Sequence, residues 1–232
     1  MSTSPRIRLV SFDLDDTLYP ETGFVRGGLM AAGAALDAFL GRPVGAGRVL
    51  LDVLAEGGPI GVLDRALDRI GVPRDEALVA RLVRAFRDHA PAIAPFSGAP
   101  EMLEDLRARG ARLALVTDGY PDVQRRKVAA LRLAHLFETV VFTGDVEGRA
   151  APKPDPAAFR LVERTTGVAG PEAVHVGDTP ARDFPPAEAC GWRTVRARYP
   201  GGYHSLDPDP GHATRVEARS IGELHAILAA MV

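Results

Sequence analysis

The chain has one cysteine, Cys190, in 232 residues, so no internal disulfide can form and a reducing compartment fits. Cys190 lies in an Ala/Gly context, where a small buried hydrophobe is the expected role rather than a nucleophile. Lysine is almost as scarce, for of 28 basic residues only Lys127 and Lys153 are lysines. Neither charge sign is in excess, and a net charge of -2 offers no polybasic surface, so nucleic acid and membrane are not expected partners. No apolar stretch of signal-peptide type follows Arg6 and Arg8, and no run reads as long enough to cross a bilayer. The expected location is cytoplasmic. Internal repeats and low-complexity tracts are also lacking. What remains, with 46% hydrophobic and 25% charged residues, is ordinary globular composition with room for one sizeable core and a smaller insertion.

The chain is organised around Ile7 to Tyr19. Leu9, Val10 and Phe12 belong to a short apolar run that reads as a buried strand, and the acids Asp13, Asp15 and Asp16 begin where it ends. In an open parallel sheet, ligands bind beyond the carboxyl ends of the strands, which places Asp13 and Asp15 at the mouth of the crevice. Carboxylates about 4 Å apart repel by roughly 4 kcal/mol at an effective dielectric near 20, and a bound cation reverses that cost. The cluster asks for a metal.

Between Glu21 and Ala92 the pattern turns helical. Phe24 to Leu40 is Ala-rich and stopped by Gly41 and Pro43, while Val62, Ala66 and Ile70 form an apolar stripe stopped by Gly71 and Pro73. Leu78, Leu82 and Phe86 form another stripe, ending near His89 and Pro91, and the loops 41–47 and 57–61 divide this all-helical insertion. Strands and helices then alternate. Strands are expected at Arg112 to Thr117, Thr139 to Thr143, Ala173 to Val176 and Trp192 to Val195, with helices from Pro100, Pro121, Asp155 and Ser220. The last motif's helix is expected to begin at Phe184-Pro185-Pro186, so that the prolines fall in its first turn. Such alternation predicts an α/β fold with a Rossmann-like parallel sheet and helices on both faces. The expected division is residues 1–20 with 93–232 as the core domain and 21–92 as a helical domain. Tyr199 to His212 reads as a surface loop whose His204 and His212 are solvated rather than ligands.

Four positions now present polar groups at strand ends: Asp13 with Asp15, Thr117, Lys153 in Ala151-Pro152-Lys153-Pro154-Asp155-Pro156, and Asp178 with Asp183. Phosphoryl chemistry needs this kind of set, with a carboxylate to attack phosphorus, a hydroxyl and an ammonium to hold its oxygens, and Mg²⁺ to neutralise the rest. Mg²⁺ takes few carboxylates, so Asp13 and Asp178 suffice with the backbone carbonyl of Asp15. In a chain that writes arginine almost everywhere, the retained Lys153 is notable.

In this order the residues resemble the haloacid dehalogenase-like hydrolase superfamily. The resemblance rests on Phe12-Asp13-Leu14-Asp15-Asp16-Thr17-Leu18, a strand ending in Thr117, Lys153-Pro154-Asp155-Pro156, and Gly177-Asp178 followed by Asp183. Gly119, Gln124, Lys127 and Leu131-Arg132-Leu133 look like its small-molecule phosphatase branch, and the insertion resembles that superfamily's helical cap. The resemblance implies Asp13 as nucleophile and metal ligand, and Asp15 as acid and base. Thr117 and Lys153 would hold the phosphoryl group beside Gly119. Asp178 would bind Mg²⁺, with Asp183 acting through a metal-bound water or by fixing Lys153.

The chain departs from the family's usual residues at Asp118 and Arg182, where Asn or Ser is common at the first and Asn at the second. Asp118 either contacts the substrate or is a turn acid bonded to nearby amides. The expected activity is a Mg²⁺-dependent phosphatase acting on a small phosphorylated metabolite, as a monomer or homodimer. A phosphomutase and a non-catalytic ligand-binding protein are the alternatives, and a dehalogenase is disfavoured because its attacked carbon has no leaving oxygen to protonate.

Overall fold

A computed structural model describes residues 5–207 and 216–232. His212 lies outside the described residues. The chain forms two compact units, residues 1–21 with 93–232 and residues 22–92. In order the elements are β1 (Leu9–Phe12), α1 (Glu21–Leu40), α2 (Ala46–Gly57), α3 (Val62–Ile70), α4 (Glu76–Asp88), α5 (Ala99–Ala108), β2 (Arg112–Thr117), α6 (Pro121–Leu131) and β3 (Thr139–Phe142). They continue with α7 (Ala157–Thr166), β4 (Ala173–Gly177), α8 (Pro180–Ala189), β5 (Arg193–Ala197), β6 (Glu217–Ala218) and α9 (Ile221–Met231).

The first unit is built on a six-stranded parallel sheet of order β3-β2-β1-β4-β5-β6. Every residue of β1 is buried, as a central strand covered on both faces requires. Helices α7 and α8 contribute Phe159, Val162 and Ala187 to a core that takes Ala114 and Val116 from β2, Val141 from β3 and Trp192. Helix α5 packs against β2 and α9. The short edge strand β6 was not anticipated, since two residues, Glu217 and Ala218, carry no periodic signal.

Helix α8 differs from expectation. It starts at Pro180, because Arg182 and Asp183 donate their amides to the Thr179 carbonyl at 2.9 Å, and Pro185 and Pro186 therefore lie inside the helix. Neither proline has an N–H, so the carbonyls one turn earlier lose intrahelical partners. At the N-terminus the Asp183 side chain accepts the Thr179 amide at 3.0 Å.

The second unit is four helices around Leu29, Leu36, Leu50, Val53, Leu67, Leu78 and Leu82. Helix α1 has 20 residues and a mean hydropathy of 1.2, so one run is, contrary to expectation, long and apolar enough to cross a membrane by length and composition. Its buried positions Phe24, Gly28, Leu29, Ala32, Gly33 and Leu36 recur at three- and four-residue spacing, the pattern of a helix presenting one face to a core. Asp75 caps α4 by accepting the amides of Ala77 and Leu78.

The glycines of α1 have a packing reason. A Cβ on Gly33 would lie 2.1 Å from the backbone nitrogen of Gly47 in α2, so the two backbones meet at van der Waals distance. Helix propensity alone favours Ala over Gly by up to about 1 kcal/mol, whereas overpacking costs typically 1–3 kcal/mol. Gly33→Ala should therefore lower stability in urea denaturation. A rise would show that α1 and α2 do not pack this closely.

Candidate active site

The strand order reverses at β1, which has β2 on one side and β4 on the other. Asp13 follows β1 and donates its amide to Val176 of β4 at 2.8 Å, so Asp13 and Asp178 leave adjacent strands at the topological switch point. The centre of the site is Lys153. Its Nζ lies 2.6 Å from Asp13 Oδ1 and 2.5 Å from Asp183 Oδ1, and all three side chains are buried.

Burial by itself depresses the pKa of a lysine, but Asp13 and Asp183 outweigh it and hold the Lys153 ammonium above its ordinary value. For Asp183, burial pushes up, and Lys153 with His175 prevails and holds the carboxyl below the usual range. His175 is buried in β4, 3.7 Å from Asp183 Oδ1, and its other ring nitrogen meets Ser11 Oγ at 3.1 Å. Burial lowers its pKa, which favours the neutral imidazole. Gly177 has no room for a side chain, since a Cβ there would lie 2.3 Å from Asp183 Oδ2.

Asp15 belongs to a second group. Its Oδ1 accepts Lys127 Nζ at 2.6 Å and the Tyr19 hydroxyl, and its Oδ2 accepts Gln124 Nε2 at 2.9 Å. Gln124 also reaches Thr117 Oγ1 at 2.5 Å, linking the ends of β1 and β2. Gln124 and Lys127 sit three residues apart on the buried face of α6. Glu21 completes the group 3.7 Å from Lys127, with its carboxyl pushed up to about 8 by burial and by Asp15. Burial and Asp15 likewise hold the Tyr19 phenol well above its ordinary pKa. Tyr19, Glu21 and His175 escaped the sequence reading. The scarcity argument used for Lys153 applied equally to Lys127, so both lysines of the chain stand at this site.

Asp16 does not join the other acids. It has a left-handed backbone, φ 49°, and its carboxylate accepts the amides of Glu21 at 2.8 Å and Tyr203 at 2.7 Å. His204 lies 2.7 Å from Asp207 and is half-exposed. Cys190 is free and partly buried against the core, where burial raises its thiol pKa.

Asp118 is held by protein donors. Its Oδ1 accepts the Thr143 hydroxyl at 2.5 Å and the Lys153 amide at 3.1 Å, and its Oδ2 accepts Arg182, so both oxygens are taken by protein donors. The two positions at which the chain departs from the family's usual residues hold each other. Gly119 follows with φ 126°, a conformation that favours glycine, at the exposed start of the loop into α6.

These features describe a carboxylate-centred α/β enzyme. The chain belongs to the haloacid dehalogenase-like hydrolase family, whose sequence model matches residues 7–191. It is 34% identical over 209 residues to a glyceraldehyde 3-phosphate phosphatase of Methanopyrus kandleri, covering 87% of this chain and 88% of the relative. It is 32% identical over 224 residues to a phosphoserine phosphatase of Thermus thermophilus, covering 82% and 88%. Among solved structures, the HAD-hydrolase YfnB of Bacillus subtilis, crystallised with magnesium, superposes with a TM-score of 0.67 at 19% identity over 97% of this chain and 99% of its own.

The donor set of this chain fits a hard divalent cation. Among the described residues no three His, Cys, Asp or Glu side chains converge as a ready cluster, and a Mg²⁺ site needs only one or two carboxylates with a carbonyl and waters. Burial of Asp13 outweighs Lys153, and with Asp183 and Asp15 adding repulsion its carboxyl is pushed up to about 7. Asp178 is pushed up to about 9, chiefly by burial and then by Asp13 and Asp183. Two acids driven toward protonation by burial and by one another are short of positive charge. Both should exchange their protons for a cation, because ligands must be deprotonated to bind it. Titrating Mg²⁺ into the protein near about pH 7.5 should release protons, read by calorimetry in buffers of different ionisation enthalpy, and Asp178→Asn should reduce that release and weaken binding. Mg²⁺ binding without proton release would show that the carboxylates are already ionised and await no cation.

Proposed function

We propose that the protein is a Mg²⁺-dependent phosphatase that hydrolyses a small phosphorylated metabolite through an aspartyl-phosphate on Asp13. The observation that carries this reading is the placement of Lys153 between Asp13 and Asp183, with Asp15 held separately by Lys127, Gln124 and Tyr19. Both curated relatives are named as phosphatases, and they differ in the ester that they cleave, which supports the shared reaction and leaves the choice of metabolite open.

The chemistry follows from which atoms are committed. Asp13 gives Oδ1 to Lys153 and uses Oδ2 to attack phosphorus, forming the acyl phosphate as the bond to the leaving oxygen breaks. Asp15 delivers a proton to that oxygen. It then takes a proton from the water that attacks phosphorus, releasing orthophosphate and restoring the Asp13 carboxylate. Thr117 and Lys153 hold phosphoryl oxygens where negative charge accumulates, and Asp183 fixes Lys153. Asp13, Asp178 and the Asp15 carbonyl would hold Mg²⁺, which would supply positive charge for the remaining phosphoryl oxygens. The inserted helices of residues 22–92 are assigned the choice of ester, as a cap domain.

A screen of sugar phosphates, phospho-acids and nucleotides with Mg²⁺ should find turnover. On the best substrate Asp13→Asn should lose more than about a hundredfold in kcat with an unchanged melting temperature, since a positioned catalytic group is commonly worth that much. Residual activity above about one per cent in the folded variant would remove Asp13 as nucleophile. Lys153→Arg should also lose most activity. A planar guanidinium is wider than the ammonium that fits between two buried carboxylates.

A further inference from the structure

The loop carrying Lys153 has no regular element between Asp145 and Ala157, and proline occupies every second position from Pro152 to Pro156. Prolines have no N–H, so the amide donors of this stretch are Ala151, Lys153 and Asp155 alone. Ala151 donates to the Thr143 carbonyl at 2.8 Å and Asp155 to the Pro152 carbonyl at 2.9 Å. The Lys153 amide goes to Asp118, and no neighbouring amide can substitute for it. Thr143, which holds Ala151, also donates its hydroxyl to Asp118. Asp118 in turn takes Arg182 on its second oxygen, and Arg182 immediately precedes the Asp183 that grips Lys153 Nζ. The side chain of Arg182 is 55% exposed, against 14% for Asp118.

We propose that Asp118 and Arg182 are a positioning pair for Lys153, with Asp118 fixing the lysine's peptide from the end of β2 and Arg182 fixing Asp118. The proposal rests on the reading of Lys153 as the holder of the phosphoryl group. Two successive residues of α8 then secure one lysine from opposite ends, Arg182 through Asp118 at the amide and Asp183 at the ammonium. A misplacement of about 1 Å at a reacting centre can cost about a hundredfold in rate, so a loop rich in proline needs such an anchor.

The chemistry of the pair makes a particular prediction. Asp118→Ala removes the acceptor for the Lys153 amide and should weaken both kcat/KM and the affinity for inorganic phosphate by about tenfold to a hundredfold. Asp118→Asn keeps one carbonyl oxygen for that amide but turns an NH₂ toward the Arg182 guanidinium, so its loss should be smaller. Adding Arg182→Gln supplies an acceptor for that NH₂ and should recover most of what Asp118→Asn lost, a non-additivity that independent sites do not show.

The test uses the full-length chain with Mg²⁺, calorimetric titration of inorganic phosphate, kinetics on the best substrate of the screen, and melting temperatures for each variant. Weakened phosphate binding with an unchanged melting temperature, and rescue in Asp118→Asn/Arg182→Gln, are expected. Phosphate binding that survives Lys153→Met would remove the reading on which the pair rests. Binding lost in Lys153→Met yet untouched in Asp118→Ala would overturn the positioning role alone. If Asp118→Ala does not fold, additive losses in the Asn/Gln double variant overturn the pairing.

Discussion

An ammonium held between two buried carboxylates is the interaction on which this site depends. Taking such ions out of water costs several kcal/mol each, and the attraction between them offsets that only when geometry is good and the remaining polar atoms are satisfied. Lys153 meets the condition through Asp13 and Asp183, and Asp183 through the Thr179 amide as well. The consequence reaches the sheet itself. Gly177 must lack a side chain for Asp183 to approach, and α8 must start at Thr179–Pro180 to aim it, although Pro185 and Pro186 then fall in the helix interior.

Charge is unevenly balanced across the site. Asp15 faces Lys127, whereas Asp13, Asp178 and Asp183 share Lys153, and burial pushes Asp13 and Asp178 toward their neutral forms. In the proposed mechanism the attacking carboxylate has to be ionised, so the same burial that would strengthen interactions with a phosphoryl group would also call for a cation. On the proposed reading, the call for a metal is a property of the carboxylates' surroundings, beyond their number. In the helical unit the corresponding constraint is steric, and Gly33 against Gly47 sets how closely α1 and α2 approach.

The parallel sheet, the helical insertion and the strand ends at Asp13, Thr117 and Asp178 were legible from local pattern, because buried strands and amphipathic helices declare themselves over a few residues. The scarcity of lysine pointed to Lys153 for the same reason, that it can be read from the chain without knowing its neighbours. The two-residue strand β6 and the early start of α8 were not legible, since the first has no period and the second is set by the Arg182 and Asp183 amides on the Thr179 carbonyl, ahead of the prolines that a local reading takes as the first turn.

The sequence alone determined which chemical groups lie at strand ends, since their order and spacing are local. Only the tertiary structure decided their partners. It set Asp16 on the amides of Glu21 and Tyr203, away from the other acids, and it brought Lys127 and Tyr19 to Asp15. It also gave Asp118 the Lys153 amide and the Arg182 guanidinium as donors. The physical reason is that a carboxylate accepts whichever donors the fold delivers, and those donors come from segments far apart in the chain, where no local pattern records the meeting.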